Sequence, residues 1–335
     1  MKTAKLYKPN KITIENVPEP QIKRDCDVKI KVHYCGINSD DWLMYSGKIN
    51  ARYPDYGLLN EFSGVIVELG EKAKAGNLRV GDHVSAIRFS PCGNCPMCRS
   101  GHGELCVELN GTPALSEYIV TDCKKVVKLP PNLPLEQGVL FWPAACCFEA
   151  LDRLKLEAGE SMLIHGAGTM GLLMLQLAKA RFASPVVVSE PILGKRTLAL
   201  ILGADHVINP ASDDFSECTL EKTEGFGFNV IIDSSSNTSV FPNTVNLLSR
   251  GGRLMLFSNY PQGTKFNIDL GELIWKNYTI TSCYGPNYTS YTFNPSFLSN
   301  LKLSSLIGPI FALDKADEAF ESYATHMYQK ILIKM

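Results

Sequence analysis

The sequence predicts an α/β protein built as a β-rich domain followed by a doubly wound parallel sheet. Three observations predict it: the hydrophobic period changes near residue 135, strand and helix patterns alternate beyond that point, and a glycine-rich turn sits at the first strand-to-helix junction of the second half. At 335 residues the chain is also long for one core, and its length alone suggests roughly two domains.

The bulk properties narrow the function. A composition that is 45% hydrophobic and 20% charged supplies packed cores and carries no disorder signature. Lys and Arg number 33 against 34 Asp and Glu, a formal charge of −1, so there is no electrostatic footprint for nucleic acid or for a membrane surface. The first twenty residues lack the apolar run of a signal peptide, and no stretch approaches the ~18 unbroken apolar residues of a membrane span. The expectation is a cytoplasmic protein that acts on a small molecule. Of eleven cysteines, four cluster tightly and seven are scattered, which points to one metal site and to buried thiols rather than to disulfides.

In the first 135 residues the runs KITIENV, DVKIKVHY, GVIVELG, DHVSAIR and SEYIVTD are short, apolar or alternating, and broken by Gly, Pro and Asp, as in a barrel or sandwich. The stretch GEKAKAGNLRVGD at 70–82 reads as a turn-rich loop. After the proline-rich break LPPNLPLEQG at 129–138, the helical patterns ALDRLK, LLMLQLAKA and LALILGA separate the buried-strand runs SMLIHG, PVVVSE, NVIIDS and RLMLFS. Beyond about residue 290, ALDKADEAFESYATH and KILIKM supply one helix and one strand, too little for a third domain, and are expected to return to the first. The domains are therefore expected at 1–140 with 291–335, and at 141–290.

The glycine turn has a chemical reading. SMLIHGAGTMG places Gly166, Gly168 and Gly171 in G-x-G-x-x-G spacing after an apolar strand, with Thr169 and Met170 opening the next helix. Such a turn needs glycine because the backbone approaches a pyrophosphate closely and the helix packs near the strand with its N-terminal amides facing the anion. The next strand ends at Glu190, nineteen residues after Gly171, where a carboxylate accepts hydrogen bonds from the adenosine ribose and favours NAD(H) over NADP(H). Lys195 and Arg196 follow and offer the competing reading, charge for a 2′-phosphate.

Residues 92–106 read CGNCPMCRSGHGELC, and the spacing C-x2-C-x2-C-x7-C can wrap Cys92, Cys95, Cys98 and Cys106 around one tetrahedral ion. Four sulfur ligands leave no open position, so the expected zinc is structural. His102 lies in the loop without being needed as a ligand, and an iron–sulfur cluster is the weaker alternative.

Together with YCGINSDDW at 34–42, YGLLNEFSGVIVELG at 56–70, VGDHV at 80–84, LGADHVINP at 202–210 and RGGRLMLF at 250–257, these motifs resemble the zinc-containing alcohol and polyol dehydrogenases of the medium-chain dehydrogenase/reductase superfamily. The resemblance covers essentially the whole chain. It implies a GroES-like catalytic domain, a Rossmann domain, a cleft between them for nicotinamide and substrate, a homodimer or homotetramer, and a cofactor contact at Lys330.

The resemblance also implies a catalytic zinc held by a cysteine, by a histidine followed by glutamate, and by a later cysteine or glutamate. In this chain those positions fall on Asn38, on Asn60 beside Glu61, and near Trp142, and neutral amides are poor zinc ligands. The family's relay hydroxyl maps to Asp40 and its relay histidine to about Leu43. The expected reaction is hydride transfer without a catalytic zinc, to or from a small carbonyl or alcohol or to an activated C=C bond. Asp40, with Glu61 beside it, would move the proton while Asn38 and Asn60 hydrogen-bond the substrate and Trp42 and Trp142 wall the pocket. Burial of an Asp40–Glu61 pair would raise a carboxyl pKa far enough for that work. Three other readings stand beside it: a rewired metal site from Asp40, Glu61 and Cys146 or Cys147; a purely structural role for Asp41; and a chain that binds NAD(P) without catalysis. The adjacent Cys146 and Cys147 are expected to be buried small hydrophobes, since neighbouring cysteines rarely close a disulfide.

Overall fold

The computed structural model describes residues 1–49, 58–87, 89–108, 110–111, 114–212, 214–260, 263–286 and 294–335. Tyr56 and Gly57 of the segment at 56–70 lie outside them. The chain divides into two compact units, Met1–Trp142 with Asn287–Met335, and Pro143–Pro286.

The first unit opens with the antiparallel hairpin β1 (Lys2–Lys8) and β2 (Lys11–Asn16). Its sheet is organised around the ten-residue β3 (Asp27–Gly36), whose Val28, Ile30 and Val32 repeat at period two and are sealed in the core with Ile66 and Phe320. β4 (Glu61–Leu69) pairs antiparallel with β3, β5 (His83–Ala86) continues the sheet, and the two-residue strands β6 (Phe89–Ser90) and β7 (Asn110–Gly111) pair on either side of the cysteine segment. β8 (Tyr118–Asp122) lies on β3, and β9 (Val126–Lys128) pairs with β5.

The second unit is a six-stranded, wholly parallel sheet. Its strands are β10 (Met162–His165), β11 (Val186–Ser189), β12 (His206–Ile208), β13 (Phe228–Asp233), β14 (Leu248–Leu256) and β15 (Thr279–Ser282), in the spatial order β12-β11-β10-β13-β14-β15. That is the doubly wound order with its switch point between β10 and β13, where ligands bind at the carboxyl ends of the strands. Met162–Ile164, Val186–Val188 and Val230–Ile232 are fully buried, which is why these runs read as continuous apolar text rather than as alternation. β12 and β15, three and four residues long, form the two edges and carry too few residues for a readable pattern.

The chain then returns to the first unit. β16 (Ile307–Ala312) runs parallel to β17 (Lys330–Lys334), and β17 pairs antiparallel with β3, giving the order β16-β17-β3-β4-β5-β9. The helix Ala316–Ala324 between them buries Ala319 and Phe320 in the same core. The result is the mixed α/β architecture that the sequence predicts, a GroES-like unit and a Rossmann unit. Among the described residues no helix is long and apolar enough to cross a membrane.

Candidate functional site

Asn38 and Asn60 meet. Asn38 is the N-cap of the short helix Ser39–Tyr45, where its side-chain oxygen accepts from the Asp41 N–H at 3.0 Å while the Asp41 carboxylate accepts from the Asn38 N–H at 3.3 Å, a reciprocal capping box. With that oxygen occupied, the Asn38 amide nitrogen faces Asn60 and donates to Oδ1 at 2.6 Å. Asp41, wholly buried, also accepts from the Leu59 N–H at 2.9 Å and so ties the helix to the segment leading into β4. Its carboxylate serves the backbone.

Glu61, the first residue of β4, is buried and ion-paired with Lys330, the first residue of β17, at 2.5 Å. Lys330 Nζ also donates to the Ile37 carbonyl at 3.1 Å. Burial raises the Glu61 carboxyl above its ordinary range, Lys330 and hydrogen bonding from Asn38 pull it back, and the Asp40 charge adds to the rise. Gly36 is required beside this pair, because a Cβ there would lie 2.7 Å from Val139 Cγ1 and 3.2 Å from Glu61 Oε2. Asp40, half-buried one residue into the helix, reaches Glu61 as a charge, while the partner that closes on Glu61 is Lys330. Tyr323 belongs to the same neighbourhood. Its ring lies 6.3 Å from that of Trp42, and burial together with the Glu61, Asp41 and Asp40 charges keeps its phenol protonated.

In the second unit the glycine turn joins β10 to the helix Thr169–Ala180. Gly166 adopts φ +94°, and a Cβ on Gly171 would fall 1.9 Å from the Gly166 carbonyl oxygen, so neither position accepts a side chain without displacement. At Gly168, the helix N-cap, a Cβ would meet nothing within 4 Å: this is the open side of the turn. Glu190 follows β11 and is buried, one oxygen accepting from the Ala167 N–H at 2.8 Å and the other from the Ile192 N–H at 3.0 Å. Lys195 is buried beside it; burial lowers its pKa and Glu190 partly restores it. Arg196 donates to the Glu190 and Pro191 carbonyls at 2.6 and 2.7 Å.

Two further buried groups stand at the switch point. His165, last in β10, is pushed down to about 4 by burial, with Nε2 3.2 Å from Thr244 Oγ1. The Thr244 hydroxyl proton is spent on the Val240 carbonyl at 2.7 Å, so the imidazole carries its proton on Nε2. Asp233, last in β13, accepts from the Ser235 amide and hydroxyl at 2.9 and 2.6 Å and from the Tyr260 hydroxyl.

The four clustered cysteines converge: their sulfurs all lie within 4.8 Å of one another, and among the described residues no other group of three or more His, Cys, Asp or Glu side chains is so placed. Backbone N–H groups point at them, from Cys92 and Glu108 to Cys106 at 3.2 and 3.3 Å and from Asn94 and Cys95 to Cys92 at 3.4 and 3.3 Å. Donation from the Cys98 N–H lowers Cys95 to about 6, whereas burial pushes Cys98 up to about 12. Four convergent thiols with preformed backbone donors fit a closed tetrahedral zinc site. Cys146 and Cys147 are buried, and Cys147 Sγ donates to the Met170 carbonyl at 3.5 Å.

Comparison with known proteins agrees with this geometry. Residues 24–131 match the alcohol dehydrogenase GroES-like domain and residues 169–301 the zinc-binding dehydrogenase domain. The L-threonine 3-dehydrogenase of Pyrococcus furiosus is 32% identical over 341 residues, which cover 96% of this chain and 93% of that protein. The chain belongs to the zinc-containing alcohol and polyol dehydrogenase family of the medium-chain dehydrogenase/reductase superfamily. It is an NAD(P)-dependent oxidoreductase of that superfamily. A Sinorhizobium meliloti protein solved with NADP shares the fold at TM-score 0.91 and 24% identity, covering 100% of this chain and 99% of its own. An Escherichia coli alcohol dehydrogenase solved with NADH does so at TM-score 0.88 and 24% identity, with the same coverage.

Within this dehydrogenase family, the structure brings together Asn38, Asn60, Glu61 and Lys330 from segments that are far apart in sequence. It gives Asp41 to the helix cap and places Gly166, Gly168, Thr169, Met170, Gly171, Glu190 and Lys195 around one turn. What pattern reasoning did not find is the Lys330–Glu61 pair, the nearby Tyr323, and the His165 and Asp233 positions. Only the helical phase of Phe320 and Tyr323, three residues apart, could have signalled that Tyr323 faces inward.

Proposed function

We propose that this dehydrogenase transfers hydride between a nicotinamide cofactor and a small carbonyl or alcohol, or to a C=C bond conjugated with a carbonyl, without a catalytic zinc. The observation that carries the reading is the Asn38–Asn60 amide pair at the positions where the family's cysteine and histidine ligands fall. The Asn38 oxygen is held by the helix cap and the Asn60 oxygen by Asn38, and neutral amide oxygens already engaged as acceptors are poor zinc ligands beside thiolate and imidazole. Asp40 is the proton-moving group, its charge coupled to that of Glu61. Glu190 at the end of β11 supports NAD(H) over NADP(H), Lys195 and Lys330 are retained as cofactor contacts, and one structural zinc belongs to Cys92, Cys95, Cys98 and Cys106. The enzyme is proposed to work in the cytoplasm as a homodimer or homotetramer.

Zinc content together with one variant tests this. The purified enzyme should hold about one zinc per chain, as four thiolates imply, and Asp40→Asn should lower kcat by about 10²-fold or more against a panel of carbonyls and enones while leaving cofactor binding intact. Two zinc ions per chain, or an unchanged kcat, would overturn it.

A further inference from the structure

We infer that Asn60 is the residue that receives the substrate's oxygen, through its amide nitrogen, and that the ligand class of this site is therefore an acceptor oxygen: a ketone or aldehyde carbonyl, or the carbonyl conjugated to a reducible C=C bond. The inference rests on the metal-free reading above and adds to it a direction, a residue and an atom.

The direction follows from a chain of hydrogen bonds that can be satisfied in only one sense. Asp41 N–H must donate, so the Asn38 atom facing it is the oxygen, and the Asn38 nitrogen faces Asn60. A nitrogen there demands an oxygen opposite, which fixes Asn60 Oδ1 toward Asn38 and turns Asn60 Nδ2 the other way. Asn38 is then fully used, since its amide also hydrogen-bonds Glu61. Asn60 is not: among the described residues its Nδ2 has no partner, although the residue is 5% exposed. An amide donor without a partner is open to an arriving acceptor. The same network holds the Lys330 ammonium, ion-paired with Glu61. Lys330 Nζ spends one N–H on Ile37 and one on Glu61, and no partner for the third is present among the described residues. The groups that this cluster leaves without a partner among the described residues, Asn60 Nδ2 and the third Lys330 N–H, are both donors.

The chemistry balances on that basis. Hydride leaves C4 of the dihydronicotinamide and forms a C–H bond at the carbonyl carbon, the C=O π pair moves onto oxygen, and the cofactor is oxidised. The oxygen, held by Asn60 Nδ2 while it gains charge, takes its proton from the Asp40 carboxyl. For a conjugated C=C bond the hydride arrives two atoms further out, the charge still reaches the same oxygen, and the proton is taken up at carbon as the enolate collapses.

Asn60→Asp is the informative variant, because it keeps the oxygen that Asn38 needs and replaces only the outward donor by an acceptor. With the zinc-loaded enzyme and NADH, its kcat/KM for the best carbonyl of a panel should fall by about 10²–10³-fold, the loss typical of removing one oxyanion donor, with NADH affinity within about twofold. In the wild type, titrating sodium acetate as an oxyanion mimic into the ¹⁵N-labelled protein should shift one side-chain amide resonance, absent in Asn60→Asp; this second measurement needs no variant turnover. Methylammonium, a donor of opposite charge, should leave that resonance in place. One zinc per chain with unimpaired Asn60→Asp, or with no amide shift, defeats the inference alone; two zinc ions per chain defeat the metal-free reading and this inference with it.

Discussion

Lys330 Nζ and Glu61 Oε2 stand 2.5 Å apart with both side chains almost wholly sealed, although 269 residues separate them in sequence. The pair closes the returning strand β17 onto β4 across Gly36, so it is a structural lock as well as part of the candidate site. Removing one member leaves an uncompensated buried charge, which typically costs about 3–5 kcal/mol, whereas removing both costs far less. Lys330→Met should therefore lower the urea midpoint strongly, and Lys330→Met combined with Glu61→Leu should recover most of the loss. Equal destabilisation in single and double variants would show that the charge pairing is not what matters.

The glycine turn separates folding from cofactor binding. Gly171→Ala forces a Cβ to within 1.9 Å of the Gly166 carbonyl and should destabilise the second unit in thermal melts, with cofactor affinity falling alongside. Gly168→Ala meets open space and should melt close to the wild type, while NADH fluorescence titration shows weakened binding because the methyl occupies the anion's approach. A Gly168→Ala variant with unaltered affinity would place the pyrophosphate elsewhere.

His165 gives an acid-side pH dependence. Its pKa falls from 6.5 in the unfolded chain to about 4 when folded. Below pH 6.5 the unfolded chain binds the extra proton and the folded one does not, so stability is full above 6.5, declines as pH falls, and levels off below about 4. The contribution is on the order of 3 kcal/mol. His165→Phe should lack this component, so the difference between wild-type and variant unfolding free energies should change across pH 4–6.5 and stay constant above it. A difference independent of pH would remove His165 from the account.

How much of this could be read from the chain follows the distance over which each feature is encoded. Gly166, Gly168 and Gly171, and Cys92 through Cys106, act within a turn or a loop, so spacing alone identifies their chemistry. β10, β11, β13 and β14 were legible because strands covered on both faces need unbroken apolar runs. Lys330 is a different case: the terminal strand is readable, but which carboxylate its first residue meets depends on β17 lying against β3, a fact of topology. Asp40 and Asp41 are adjacent and chemically alike, and only the helix phase starting at Ser39 assigns Asp41 to the cap and leaves Asp40 at the surface of the cluster. The sequence pattern pairs Asp40 with Glu61 as like charges, and the Asp40 charge does raise Glu61; what the pattern does not show is the counter-ion Lys330 that β17 adds.

The capping box at Asn38 has a bearing on how this enzyme could be re-engineered. Asparagine is among the best N-cap residues and cysteine is not, so an Asn38→Cys change made to recruit a metal would first remove the cap, at about 1 kcal/mol, and strand the Asn60 oxygen. Installing a thiolate at this position therefore begins uphill and needs a compensating change at Asn60 before it yields anything. Local helix chemistry thereby constrains which residue position 38 can carry.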